Sequence, residues 1–412
     1  MREYLLVFLV ALSVTYLLTV VAREIALRTG AVAQVRDRDV HAEPIPYLGG
    51  LAMLGGLCAA YVVARELPFL GLRSEGFVFK DAGVVLLAGA LVCAVGVVDD
   101  IFELDALTKL GGQVLAAGLL VALGVRFYYF PRPDGVQFSL DDVQGAALTL
   151  VVVIGTMNAV NFVDGLDGLA AGVVGIGAAA FFLYCYFVSA QNNLTLATTG
   201  ALLSAALAGA CAGFLPHNFH PARLFMGDSG SMLIGLVLSA SALTLTGQFV
   251  GMPATTGNSL FVTVLPLLLP ISLLMVPIVD LVLAVVRRTR AGRSPMSADK
   301  QHLHHRLLEI GHSQRRAVLI MWMWAATIAA GAVIVSLFDR WWVWWSLGTM
   351  LALTVALTFV LPQVHRPRKT GLGDTGLPEN DAVEGRLDDE GLTDAPGESV
   401  VEPSRQPGES IP

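Results

Sequence analysis

The sequence predicts an all-α polytopic membrane protein, and three observations carry that prediction. Of 412 residues, 55% are hydrophobic and only 14% charged. The mean hydropathy is +0.68, a balance that excludes an ordinary soluble enzyme. A spanning helix needs roughly 20 apolar residues, and segments of about that length recur some eleven times, centred near residues 13, 55, 90, 118, 152, 178, 205, 238, 272, 327 and 352. Lys and Arg, finally, are divided unequally between the loops of the two sides, which is the sign of a fixed orientation.

Taken in order, the first segment has no small-residue cleavage site after it and reads as a retained helix, not a signal peptide. With eleven spans the loops alternate. One side collects Arg23, Arg28, Arg36, Arg38, Lys109, Arg223, Arg287, Arg288, Arg290, Arg293, Lys300, Arg306, Arg315 and Arg316, fourteen in all, against seven on the other: Arg2, Arg65, Arg73, Lys80, Arg126, Arg132 and Arg340. The richer side is expected in the cytoplasm, with the N-terminus outside and the C-terminus inside. Cys58, Cys93, Cys185 and Cys211 lie in apolar segments with no C-x-x-C spacing and read as small buried hydrophobes. Residues 1–362 are expected to form the integral membrane catalytic domain and 363–412 a disordered acidic cytoplasmic tail. From 371 onward the tail carries eleven acidic and two basic residues and no aromatic one, too little apolar surface to order itself. Activity is expected to survive its deletion.

The informative residues sit at segment ends, all on the Lys/Arg-rich side. Ionisable groups there are expensive to hold and usually functional. Asp99-Asp100 closes one segment and is followed by Lys109. Adjacent residues on a helix point about 100° apart, so these carboxylates serve different neighbours; capping of a wet helix end is the alternative. Asn158, Asn161 and Asp164 recur every three residues and share roughly one helical face, with Asp167 continuing the series. Amides and carboxylates in such a ladder suit a hard divalent cation, although Asn also holds membrane helices together. Gly165, Gly168 and Gly172 reduce the bulk beside them. In Phe225-Met-Gly-Asp228-Ser a loop enters a helix: Asp228 is either a ligand or the helix N-cap, and Phe225 either stacks on a base or plugs the bundle. The loop Arg287 to Arg306 holds His302, His304 and His305 among arginines, which bind phosphate in bidentate fashion.

These parts describe phosphoryl chemistry, which needs positioning, a metal ion and cations against phosphate oxygens. No P-loop, G-x-G-x-x-G or G-x-S-x-G is present, so neither a nucleotide-binding domain nor a serine hydrolase is expected.

His41 to Gly50, Asp99-Asp100, Lys109 to Gln113, Asn158 to Gly168, Asn218 to Asp228 and Ser294 to Arg306, in that order, resemble the polyprenyl-phosphate N-acetylhexosamine-1-phosphate transferases (glycosyltransferase family 4). The resemblance covers about residues 41 to 316. It implies transfer of GlcNAc-1-phosphate from UDP-GlcNAc to a polyprenyl phosphate, with release of UMP, at the cytoplasmic face of a bacterial plasma membrane. It implies Mg2+ as cofactor, with Mn2+ as a substitute. Asp228 with Asn161 would hold the metal. Asp99 would deprotonate or orient the lipid phosphate, and Asp100 and Lys109 would support the phosphates. Asp164, His302, His304 and His305 complete the catalytic group. Phe225, Asn218 and Asp167 would form a uridine pocket, and Arg293, Arg306, His41 and Asn158 would bind substrate. A homodimer is left open and no nucleic-acid partner is expected.

His41-x-x-Pro44-x-Pro46 and His302-Leu-His304-His305 depart from the peptidoglycan branch, which shows a lysine with Gly-Thr-Pro-Thr and three successive histidines. They favour UDP-GlcNAc over UDP-MurNAc-pentapeptide. A CDP-alcohol phosphotransferase would need Arg where Gly172 stands. An intramembrane aspartyl protease would need neither the Asn-Asp ladder nor the Arg-His loop. A nucleotide-sugar transporter would place its polar groups near the bilayer midplane and not at one face.

Overall fold

The computed structural model describes residues 1–32, 45–73, 76–131, 137–192, 196–246, 289, 313–338 and 340–360. Their helices, in chain order, are α1 (Arg2–Thr29), α2 (Gly49–Glu66), α3 (Leu70–Arg73), α4 (Phe77–Phe102), α5 (Ala106–Ala122), α6 (Asp142–Val163), α7 (Leu169–Asn192), α8 (Leu196–Asn218), α9 (Gly227–Thr246), α10 (Gln314–Leu337) and α11 (Trp341–Val360). Eight of them, all but α2, α3 and α5, are long and apolar enough to cross a membrane. The chain is therefore a multi-pass membrane protein. Ten of the eleven expected centres fall inside described helices; the segment centred near residue 272, the loop 290–312 and the tail 363–412 lie outside the described residues.

Local chemistry sets the ends. Gly30 closes α1 at φ 75°, its N–H on the Ala26 carbonyl. The Asp105 carboxylate accepts from the Leu107 and Thr108 amides at the start of α5. Asp141 and Gln144 form a reciprocal capping box on α6. Between α5 and α6 lies a departure from the all-α expectation, the antiparallel pair β1 (Tyr129–Pro131) and β2 (Gln137–Ser139), with Phe130 opposite Phe138. Neither strand approaches spanning length, and the residues between them include Pro133-Asp134-Gly135, a turn sequence.

Tertiary ties define two ends of the bundle. At one, which we term the far face, Glu3 accepts from the amides of Phe69 and Leu70, and Arg126 pairs with Asp142 at 2.6 Å. At the other, the site face, Tyr47 N–H reaches the Ala31 carbonyl and Phe225 N–H the Pro46 carbonyl. Arg315 donates to the His220 carbonyl. α8 and α9 are almost wholly buried, whereas α11 is exposed along most of its length. α1 and α8 cross at Gly209 and Gly213, where a Cβ would meet the Phe8 and Leu12 carbonyls; small residues at i and i+4 let membrane helices approach closely. Several buried hydroxyls bond the preceding turn, as Ser204 does on Gly200 and Ser241 on Val237. Cys93, Cys185 and Cys211 are buried as expected, but Cys58 is exposed. An apolar helix surface facing lipid accepts a thiol as readily as the core does.

Candidate active site

Three helices bring charge, and a fourth an amide, to one point on the site face. α4 ends with Asp99 and Asp100, whose side chains diverge as adjacent helical residues must. The Asp99 carboxylate lies 3.2 Å from Lys109 Nζ and accepts from the Leu104 amide at 2.9 Å. Lys109, in the first turn of α5, also pairs with the Asp228 carboxylate of α9. Asn161 of α6 donates through Nδ2 to Asp228 Oδ1 at 2.5 Å and to Ser231 Oγ at 2.9 Å. The Lys109 ammonium thus sits between carboxylates from two other helices, and a third helix supplies an amide.

Asp100 does something different. Its two oxygens accept from the backbone amides of Asp228, at 2.8 Å, and Ser229, at 3.2 Å. It caps α9 from another helix, where a helix presents free N–H groups and positive partial charge. Asp228 is therefore not the cap of α9: its own carboxylate turns to Lys109 and Asn161, and the helix end is satisfied by Asp100. Gly227, at φ 67°, leaves room for that carboxylate, which a Cβ would strike. Backbone comes equally close on two other sides. A Cβ on Gly50 would run into the main chain of Ser229 and Gly230, and one on Gly96 into Asp228 and Ser229.

The chain matches the model of glycosyl transferase family 4 over residues 82–246, a stretch that holds α5, α6, α9 and the part of α4 that carries Asp99 and Asp100. It is 45% identical over 87% of its length to the decaprenyl-phosphate N-acetylglucosaminephosphotransferase of Mycolicibacterium smegmatis, covering 89% of that protein. To the enzyme of the same name from Mycobacterium tuberculosis it is 47% identical, over 81% of this chain and 82% of the relative. The chain belongs to glycosyl transferase family 4. A probable undecaprenyl-phosphate N-acetylglucosaminyl 1-phosphate transferase of Bacillus subtilis is 32% identical over 83% of the chain and 87% of its own length.

Within this family 4 site the three polar residues of the α6 ladder have different surroundings. Asn158 faces Gln113 of α5, Asn161 faces Asp228, and Asp164 caps the helix end, its N–H on the Val160 carbonyl. Burial, with the negative charges of Asp100 and Asp167, holds the Asp164 carboxyl well above the usual carboxylate range. The expectation that Asp167 continues the ladder is corrected. α6 stops at Val163, and Asp167 lies buried in the turn before α7, 2.8 Å from His220 Nδ1 and accepting from the Ala222 amide. Asn218, also buried, accepts from Gly168 N–H at 3.0 Å and donates to the Leu224 carbonyl at 3.0 Å. Together they fasten the 218–226 loop to the α6–α7 turn, and Trp322 of α10 donates to the Gly168 carbonyl. Phe225 is half-buried, its ring 5.9 Å from Tyr47.

Sequence reasoning gave no role to Asp105, Gln113, Ser231 or His220, although Gln113 and His220 lie within the matching motifs. Asp105, held below the usual carboxylate range first by the Thr108 hydroxyl and then by backbone amides, orients the helix turn that carries Lys109; Asp105-Ala-Leu-Thr108 is a capping sequence and was the available signal. His41, Arg293, His302, His304, His305 and Arg306 lie outside the described residues.

Proposed function

We propose that this protein transfers GlcNAc-1-phosphate from UDP-GlcNAc to a polyprenyl phosphate, forming polyprenyl-pyrophosphoryl-GlcNAc and UMP in the presence of Mg2+. The observation that carries the proposal is the convergence of Asp99, Lys109, Asn161 and Asp228 from four helices. The names of the mycobacterial and Bacillus relatives, each specifying N-acetylglucosamine and a polyprenyl phosphate, support the sugar and the acceptor.

The donor set fits a hard cation. Among the described residues no three His, Cys, Asp or Glu side chains converge on a metal position, but Mg2+ commonly takes one or two carboxylates and fills its remaining sites with water and substrate phosphates. Asp228 and Asn161 would hold it, close to where Lys109 now supplies positive charge. When bound, the ion neutralises charge on the donor's pyrophosphate.

The chain's own groups do the rest. An oxygen of the lipid phosphate attacks the sugar-linked phosphorus of the donor, and the bond to the UMP oxygen breaks. Asp99 orients the attacking phosphate and takes its proton where it is protonated. Lys109, between two carboxylates, is placed to meet phosphate oxygens as they enter. Asp167 and Asn218 shape the uridine pocket by fastening the loop that presents Phe225, and His302, His304, His305, Arg293 and Arg306 are assigned to sugar and phosphate by the family resemblance alone.

The site face is the cytoplasmic one in this reading. Arg23, Arg28, Lys109, Arg223, Arg315 and Arg316 gather there, while Arg2, Arg65, Lys80, Arg126 and Arg340 lie towards the far face. Eleven spans, an outside N-terminus and an inside C-terminus follow when α2, α5 and the segment near residue 272 are counted with the eight long helices.

The test is UMP release by purified protein in detergent with UDP-GlcNAc, polyprenyl phosphate and Mg2+, omitting each in turn. Release that requires all three is expected. Turnover with UDP-MurNAc-pentapeptide alone would overturn the donor, and silence with both donors in folded protein would overturn the reaction.

A further inference from the structure

The residues that meet at the site have a second set beneath them. Lys109 and Gln113 stand one turn apart on α5, Asn161 and Asn158 nearly one turn apart on α6, and Asp228 and Met232 one turn apart on α9. α5 and α9 run away from the site face and α6 runs towards it, so Gln113, Asn158 and Met232 form a layer one turn deeper than Lys109, Asn161 and Asp228. Asn158 Nδ2 donates to Gln113 Oε1 at 2.7 Å, and Gln113 Nε2 donates back to Asn158 Oδ1 at 3.3 Å. The same Gln113 Nε2 lies 3.3 Å from Met232 Sδ. Asn158 anchors its amide further on its own helix, at the Ile154 carbonyl, 2.8 Å away. Gln113 itself is 1% exposed.

We infer that Gln113 is a positioning residue for the transfer reaction: its amide clasp with Asn158, seated on Met232, sets the register of α5 against α6 and α9 and so brings Lys109 onto Asp228. Two amides that exchange both hydrogen bonds tie two helices at one rotation and one height, a constraint added to van der Waals packing between helices in lipid. A slip of α5 by a fraction of a turn would carry Lys109 off Asp228 and Asp99 together. Asn158 acts through Gln113 on this account, although it is exposed on its other side and was expected to bind substrate. Gln113 is too deeply buried to touch either substrate, so any effect of changing it is transmitted.

This inference rests on the proposed reading of the Lys109–Asp228 site. Its test is a double-mutant cycle with Gln113→Leu, Asn158→Leu and the pair, following kcat, both KM values and unfolding temperature in detergent. Each single change is expected to lower kcat by about 10²-fold, the scale of a 1 Å misplacement, with both KM values within about twofold. The pair is expected to be no worse than the poorer single, because either change alone already breaks the clasp. The exchange Gln113→Asn with Asn158→Gln, which keeps an amide on each helix, is expected to recover part of the loss. Additive losses, an undiminished kcat in Gln113→Leu, or an Asn158→Leu defect confined to the donor KM would overturn it. Normal turnover by Asp228→Asn would overturn the site reading instead; the coupling of Gln113 to Asn158 in unfolding temperature stays measurable in that case.

Discussion

Replacing Asp100 by Asn separates a helix cap from a catalytic group. In the native protein both carboxylate oxygens accept backbone amides in the first turn of α9. Asparagine offers one acceptor oxygen and turns an NH2 group towards the second amide, so one charge-assisted bond is lost and one N–H faces another donor. Loss of one hydrogen bond to a charged group costs about 1.5 kcal/mol, and removing a partly buried negative charge from a helix N-terminus adds about 1 more. Together these give about 2–3 kcal/mol of stability. The same change loosens the turn that carries Asp228, and a displacement near 1 Å lowers kcat by about 10²-fold. Both are read on one preparation, as unfolding temperature in detergent and as UMP release. Asp99→Asn serves as the contrast, since Asp99 touches Lys109 and the Leu104 amide but not α9. An Asp100→Asn protein that unfolds like the native one would refute the reasoning, and complete inactivity at unchanged stability would show that Asp100 reacts chemically.

Gly50→Ala and Gly96→Ala push a methyl group into the α9 backbone from two directions, and each is expected to lower the unfolding temperature, at a cost of about 1–3 kcal/mol, and to lower kcat; native values for both would show that α9 has slack here. Asp164 binds its proton more tightly in the folded chain than in the unfolded one, so it lowers stability as pH rises through the ordinary carboxylate value, near 4, towards its raised one. Asp164→Asn should flatten that limb in unfolding temperature against pH, and an unaltered profile would exclude the group. Chelation of divalent cations is expected to stop UMP release, with Mg2+ or Mn2+ restoring it; turnover unaffected by a chelator would exclude the metal from the proposed reaction.

Much of the bundle was legible because a membrane imposes one strong rule, a long run of apolar residues per crossing, and ten expected centres lie in described helices. The divergence of Asp99 and Asp100 was legible as well, since it follows from helical geometry without reference to any partner. What those side chains meet was not. Nothing local tells that Asp100 caps a helix 128 residues further on, or that Gln113 finds Asn158. Asp167 shows the limit of periodicity: the three-residue spacing continues past Val163 but the helix does not, and beyond it the chain turns, with Gly168 at φ 77° and the Asp167 carboxylate on His220 and the Ala222 amide. The β1–β2 hairpin and the exposure of Cys58 escaped for a related reason, since hydropathy reports that a segment is apolar and not which way each residue faces.

The depth profile of polar groups bears on the choice between transfer and transport. A carrier needs a hydrated or polar route through the middle of the bundle. Below Gln113 the rest of α5, Val114 to Ala122, has no polar side chain. Along α6 the next polar groups are Thr156 and Thr149, whose hydroxyls bond the Val152 and Gly145 carbonyls of their own helix. Along α9 Ser239, Ser241 and Thr244 do the same. The charged layer at the site face therefore rests on one neutral amide layer, and beneath that, until Gln144 and Asp142 at the far end of α6, the described side chains of these three helices are apolar or are hydroxyls bonded to their own helix. Along the described lengths of these three helices a charged group brought to the site finds no further charged partner between the amide layer and that far end, which favours entry and exit on the site face. That is the geometry of a group passed between two molecules on one side of a membrane, with the lipid chain of the acceptor remaining in the bilayer alongside.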